Sequence, residues 1–223
     1  MNKLSKDSPV SPPVALTIAG SDSSAGAGVQ ADLKTFAAHG VYGVCAITAL
    51  VAESPGSVTR IEAVNSTLLE AQIKSINSAF YVSSVKTGML ATADLVGVVA
   101  CFVREHPELP LIVDPVLRAG AGNLLLSNEG LERLKTELLP LACLVTPNLP
   151  EAEILLGEPI LTPNDFLTSP QRLHQRYGCD FLVKGGHFID GDPLVVTDHA
   201  WIAGEPRTFS RLRLAVPDLH GTG

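Results

Sequence analysis

The stretch Ala15 to Thr35, ALTIAGSDSSAGAGVQADLKT, decides the architecture. Val14 to Ala19 is an apolar run without charge, short enough for a strand and too continuous for one with a solvated face. Gly20 to Gly28 then gathers small and polar residues around Asp22, the composition of a turn. Val29, Leu33, Phe36 and Ala37 follow at helical spacing, and Gly40 closes the pattern as a residue able to take the left-handed conformation that stops a helix. Buried strand, polar loop and amphipathic helix together open a parallel βαβ unit.

The same alternation continues outward. Val44 to Leu50, Ser84 to Thr87, Leu111 to Asp114, Leu144 to Thr146 and Phe181 to Lys184 read as further strands. Between them lie helical patterns at Leu68, Leu69, Ile73 and Ile76, at Leu95, Val98, Val99 and Phe102, and at Leu131, Leu134 and Leu138. From Leu194 to Leu214 extended runs, separated by the turn dipeptides Gly191-Asp192 and Gly204-Glu205, predict antiparallel hairpins at one sheet edge. The expected fold is therefore an α/β domain of three layers, with a mostly parallel central sheet and helices on both faces. Residues 1–13, with Lys3, Lys6 and Asp7 among Ser and Pro, are expected to be a disordered lead-in, and residues 14–223 one domain.

Composition excludes several classes. With 46% hydrophobic and 17% charged residues in 223, the chain has enough apolar surface for a full core and is not a disordered one. A net charge of −7 argues against a duplex-binding surface, which needs clustered cations, so no nucleic-acid partner is expected. The longest apolar run, Leu95 to Val103, is about half of what a membrane span requires. Cys45, Cys101, Cys143 and Cys179 show no C-x-x-C pair and read as thiols in a reducing cytoplasm.

In an open parallel sheet ligands sit beyond the carboxyl ends of the strands, and the chemically suggestive segments all fall there. Gly26-x-Gly28-x-x-Ala31 with Glu53 formally matches a dinucleotide fingerprint, but Gly20 to Ala25 intervene between strand and first glycine. The exposed amides of that loop and Asp22 suit a small substrate bearing hydroxyls. Asp114 reads either as a turn former or, with Asn148 and Glu151, as part of a hard oxygen set for a magnesium-nucleotide. Glu151 also suits the positive end of a helix beginning near Pro150. Lys184 reads as a phosphate contact or as an edge lysine laying its stem on apolar surface. His187, His39 and His220 have no evident partner and read as structural. The terminal Gly221-Thr222-Gly223 would offer free N–H groups to an anion if it opened a helix. No Walker G-x-x-x-x-G-K-[ST] and no Gly-x-Ser-x-Gly elbow occurs, which argues against a P-loop enzyme and an α/β-hydrolase.

Taken in order, these segments resemble the hydroxymethylpyrimidine and phosphomethylpyrimidine kinases of thiamine biosynthesis, members of the ribokinase-like superfamily. The resemblance rests on Ala15 to Thr35, Ile47 to Ala52 (ITALVA), Lys86 to Leu90 (KTGML), Asp114-Pro115-Val116, Thr146 to Ala152 (TPNLPEA), Val183 to His187 (VKGGH) and His220 to Gly223. It implies a ribokinase-like fold and ATP-dependent phosphorylation of a pyrimidine hydroxymethyl group, then of the monophosphate. By resemblance Gly20, Asp22, Val51, Glu53 and Met89 hold the pyrimidine, Asn148 and Lys184 contact ATP, and Asp114 and Glu151 lie around magnesium. Gly221, Thr222 and Gly223 would form the anion hole for the transferring phosphoryl group. A cytoplasmic homodimer with a small-molecule substrate is implied as well. Related alternatives are a pyridoxal kinase of the same superfamily and a non-catalytic pyrimidine-binding relative.

Three departures from the family pattern stand out. Glu53 occupies the place of the usual glutamine, and a carboxylate cannot donate as an amide does. The loop Leu117 to Asn123 lacks the family's common lysine and carries Arg118. The cysteine or aspartate that serves as base after the Gly-Thr-Gly is absent, as are the helices that follow it. The expectation is a domain incomplete at its C-terminus, with its base just beyond the chain end.

Overall fold

A computed structural model describes residues 12–54, 57–118, 125–186 and 193–214. His187, most of the Arg118-bearing loop and the anticipated anion hole at Gly221, Thr222 and Gly223 lie outside the described residues. So do residues 1–11 of the anticipated lead-in.

In chain order the elements are β1 (Val14–Asp22), α1 (Gly28–Ala38), β2 (Tyr42–Ser54), β3 (Ser57–Ala63), α2 (Ser66–Ala79), β4 (Val82–Thr87), α3 (Ala93–Glu105) and β5 (Leu111–Val113). Then come α4 (Asn128–Arg133), β6 (Leu144–Val145), α5 (Leu149–Leu156), α6 (Pro163–Tyr177), β7 (Asp180–Val183), β8 (Val195–Ile202) and β9 (Glu205–Leu212). All the strands join one sheet in the order β3-β2-β1-β4-β5-β6-β7-β8-β9. The six from β2 to β7 run parallel, while β3 at one edge and β8–β9 at the other are antiparallel.

The core lies between one sheet face and the helices α2 to α6. Leu16, Ile18, Val85, Leu111, Val113, Val145, Phe181 and Val183 are nearly or wholly buried there, against Leu69, Leu95, Val99, Leu155 and Leu173. The opposite face carries α1, packed on β1 and β2. Farther along that face Ile112, Leu144 and Leu182 are only half-buried.

Beyond shifts of strand ends, such as β2 running to Ser54 rather than Leu50, the structure differs from the sequence reading in three places. β1 continues past Ala19 to Asp22, with a register shift between Ala19 and Ser21 against β2, so Gly20 belongs to the strand. β3 escapes a periodicity search because all its residues are exposed and neither face alternates. α6 escapes because its buried stripe, Phe166, Ser169, Pro170 and Leu173, includes a serine and a proline. Its start was nonetheless legible as a capping box, in which Thr162 accepts from the Asp165 N–H and the Asp165 carboxylate accepts from the Thr162 N–H.

Before β3 begins to pair, the edge of β2 at Ile47 is closed by a side chain. The Gln72 amide of α2 accepts from the Ile47 N–H at 2.9 Å and donates to its carbonyl at 3.0 Å, standing in for a neighbouring strand. Gln72→Leu strands both groups under the helix and is expected to lower stability by about 1–3 kcal/mol. Urea unfolding checks this; unchanged stability would show that the edge is hydrated instead.

Candidate active site

Successive segments converge on the carboxyl edge of the sheet through a stepped set of backbone bonds. Gly88 N–H donates to Ile18 O (3.0 Å), Asp114 N–H to Thr87 O (3.0 Å), Thr146 N–H to Val113 O (2.9 Å) and Lys184 N–H to Pro147 O (2.9 Å). Each donor is the first residue beyond its strand, so each bond carries the parallel pairing past the strand end and delivers the following side chain to the same edge.

One group of residues gathers at the ends of β1, β2 and β4. Asp22 sits beside Val51 in the β1–β2 register. Met89 covers Gly20 so closely that a Cβ there would lie 3.0 Å from the methionine methyl. Ser23 knots the loop to β2: its hydroxyl donates to Glu53 O at 2.6 Å and accepts from Glu53 N–H at 2.8 Å. Gly20, Asp22, Val51, Glu53 and Met89 are thus brought together.

Asp22 is 3% exposed, and its carboxylate organises the loop. Oδ1 accepts from the Ser24 N–H and hydroxyl, and Oδ2 from the N–H groups of Gly26 and Ala27. The loop enters α1 at Gly28, whose φ of +59° and closeness to Gly20 O, 2.4 Å from where a Cβ would sit, require glycine.

The second group lies at the ends of β5, β6 and β7. Lys184 Nζ reaches Asp114 Oδ1 at 3.2 Å. Asn148 caps α5 by accepting from the Glu151 N–H, while Glu151 Oε2 accepts from the Asn148 N–H at 2.9 Å. Glu151 Oε1 accepts from the Leu117 N–H at 3.2 Å, which ties the segment after β5 to α5. Burial pushes the Glu151 carboxyl above its ordinary range, the backbone donor at Asn148 opposes this, Asp114 adds to it and Lys184 counters it. Asp114, Asn148, Glu151 and Lys184 therefore share one corner, beside the first group across the β4–β5 boundary.

A model of the phosphomethylpyrimidine kinase family matches residues 22–223. The chain belongs to the phosphomethylpyrimidine kinase family. A hydroxymethylpyrimidine/phosphomethylpyrimidine kinase of Haemophilus influenzae is 38% identical over 93% of this chain and 78% of its own length. The crystal structure of phosphomethylpyrimidine kinase from Clostridium difficile superposes with a TM-score of 0.79 at 36% identity, covering 88% of this chain and 84% of that one. A Bacillus subtilis pyridoxal kinase in complex with ADP gives a TM-score of 0.83 at 32% identity, over 95% and 79%. The sheet and its helices have the ribokinase-like fold anticipated from the resemblance.

Sequence reading missed a charged cluster beneath α1. Lys86 Nζ donates to both carboxylate oxygens of Asp32, at 2.9 and 2.8 Å, and Thr17 donates to Oδ2 at 2.6 Å. This half-buried pair fastens α1 to β4 two residues before Gly88. Its signal was a lysine inside the otherwise uncharged strand Val82–Thr87. The described residues contain no preformed cluster of three or more His, Cys, Asp or Glu suited to a metal.

Because the folded Glu151 carboxyl takes up a proton at higher pH than the unfolded one, its contribution to stability is lost as pH rises from the unfolded value through the folded value. Glu151→Gln forfeits one acceptor but does not titrate. Its stability deficit relative to the parent is expected to narrow as pH rises above the ordinary carboxylate range without divalent cations, as followed by urea unfolding. A deficit independent of pH would contradict the assignment.

Proposed function

We propose that the protein transfers the γ-phosphoryl group of ATP to the hydroxymethyl oxygen of hydroxymethylpyrimidine, and then phosphorylates the monophosphate. The observation that carries this reading is one sheet edge holding two adjacent corners, one fit for a small ring and one for a polyphosphate. The substitution of Glu53 for the family's usual glutamine marks the first corner as the place where substrate choice is decided.

In this reading the pyrimidine lies against Met89 and Gly20, with Val51 beside it and Glu53 facing its polar edge. Glu53 accepts from the ring N–H and amino group of a protonated aminopyrimidine in a charge-assisted fork. Asp22 acts by holding the loop amides in place, since both of its oxygens already accept hydrogen bonds from that loop. Lys184 carries positive charge to the phosphates and Asn148 shapes the turn beside it. The hydroxymethyl oxygen forms a bond to the γ-phosphorus as the bond to the β–γ bridging oxygen breaks; ADP leaves, and the hydroxyl proton passes to a base or to water. Phosphoryl transfer depends chiefly on alignment and on countering charge on the equatorial oxygens, which suits a site built of fixed strand ends.

Magnesium fits the second corner. Asp114 Oδ2 accepts no hydrogen bond among the described residues, and magnesium commonly takes one or two carboxylates, phosphate oxygens and retained waters. Asp114 would hold the ion directly and Glu151 through water, and the ion would offset phosphate charge. The reading includes a cytoplasmic homodimer, and Gly221, Thr222 and Gly223 as the anion hole.

Turnover of hydroxymethylpyrimidine and of pyridoxal with magnesium-ATP tests the assignment. Phosphorylation of the pyrimidine is the expected outcome; exclusive turnover of pyridoxal would replace it with the pyridoxal kinase reading, and ligand binding without turnover with a binding-only role. Lys184→Ala is expected to raise the KM for ATP by about tenfold to a hundredfold with little change in the KM for pyrimidine. Pyrimidine affinity of the parent should fall as the ring deprotonates, while that of Glu53→Gln should not; parallel pH profiles by calorimetry would contradict the fork.

A further inference from the structure

The hairpin of β8 and β9 lies outside both corners, yet it grips a backbone N–H and a backbone carbonyl in the two residues that follow Lys184. Gly185 N–H donates to the Asp198 carboxylate of β8 at 2.8 Å. Gly186 O accepts from both terminal nitrogens of Arg213, just past β9, at 3.4 and 3.3 Å. The Arg213 guanidinium also donates to Pro193 O at 3.2 Å, and its backbone N–H donates to Leu194 O at 2.7 Å, so the arginine is anchored by side chain and backbone at the open end of the hairpin. Gly185 itself is pressed into the hairpin and α6, since a Cβ there would fall 1.9 Å from Thr197 O and 2.7 Å from the Phe166 ring.

These contacts leave the Lys184–Gly186 turn little freedom. Lys184 is fixed by its N–H on Pro147 O before the turn, and the two opposite charges of the hairpin fix the turn after it. A carboxylate next to a polyphosphate corner repels the ligand, so Asp198 helps there only through the backbone it holds. We propose that Asp198 and Arg213 are positioning residues for nucleotide binding, setting the Lys184–Gly186 turn that meets the phosphates. The inference rests on the reading of Lys184 as a phosphate contact and extends it to residues that touch no ligand.

The two candidate effects of Asp198, charge and positioning, have opposite signatures. Asparagine keeps an acceptor for the Gly185 N–H and removes the negative charge, whereas alanine removes both. Calorimetric titration of each variant with magnesium-ATP and with hydroxymethylpyrimidine separates them. Asp198→Ala is expected to bind ATP about fivefold to tenfold more weakly, with pyrimidine affinity unchanged. Asp198→Asn should bind ATP within about twofold of the parent. Where Asp198→Ala does not fold, Arg213→Ala, at an exposed position, carries the same expectation. Parent-like ATP affinity in these variants alongside a loss in Lys184→Ala overturns the inference and leaves the nucleotide reading standing. Parent-like affinity in Lys184→Ala as well overturns both. Equal weakening toward ATP and pyrimidine also overturns it, because it marks general destabilisation.

Discussion

A carbonyl at the carboxyl edge of a parallel sheet needs a donor, and the first residue beyond the neighbouring strand supplies it. Ile18, Thr87, Val113 and Pro147 each accept in this way, from Gly88, Asp114, Thr146 and Lys184. The side chains on and next to those donors are the ones with chemistry to offer. Satisfying the backbone at this edge and assembling the two corners are therefore the same event, and the order of strands determines which residues become neighbours. With β1 between β2 and β4, the ring-sized corner forms on one side, and with β5, β6 and β7 in sequence the charged corner forms on the other.

Carboxylates at this edge divide between two tasks. Asp22 and Glu151, each 3% exposed, have both oxygens engaged by backbone N–H groups, so they hold loops in shape. Asp114 lies more open, paired with Lys184 on one oxygen. Burial distinguishes the two uses: a desolvated carboxylate is tolerated where N–H groups compensate it, and a cation or phosphate partner is reached by one that remains near solvent. Asp198 repeats the first use on the hairpin, where it accepts from Gly185.

Much of this was legible from residue order. The strand, loop and helix from Val14 to Ala38 followed from apolar continuity and a left-handed glycine at position 40, with φ of +70°. The convergence of Asp114, Asn148, Glu151 and Lys184 followed from their places at strand ends. What stayed hidden was set by tertiary contact. Ser57–Ala63 pairs at an exposed edge and carries no alternation, and Phe166 and Leu173 of α6 pack through a serine and a proline. The loop-holding role of Asp22 depends on the return of Gly26 and Ala27 toward it. Asp32 and Lys86 are far apart in sequence and meet only because α1 folds over β1, beside which β4 places Lys86 next to Thr17.

The central claim is that ring and phosphates bind in adjacent corners of one sheet edge. A crystal structure with hydroxymethylpyrimidine and a non-hydrolysable ATP analogue tests it most directly. The account predicts the ring against Met89 and Gly20 with the terminal phosphate beside Lys184 and Asp114. Phosphates seated away from Lys184, or a ring bound elsewhere than between β1, β2 and β4, would contradict it.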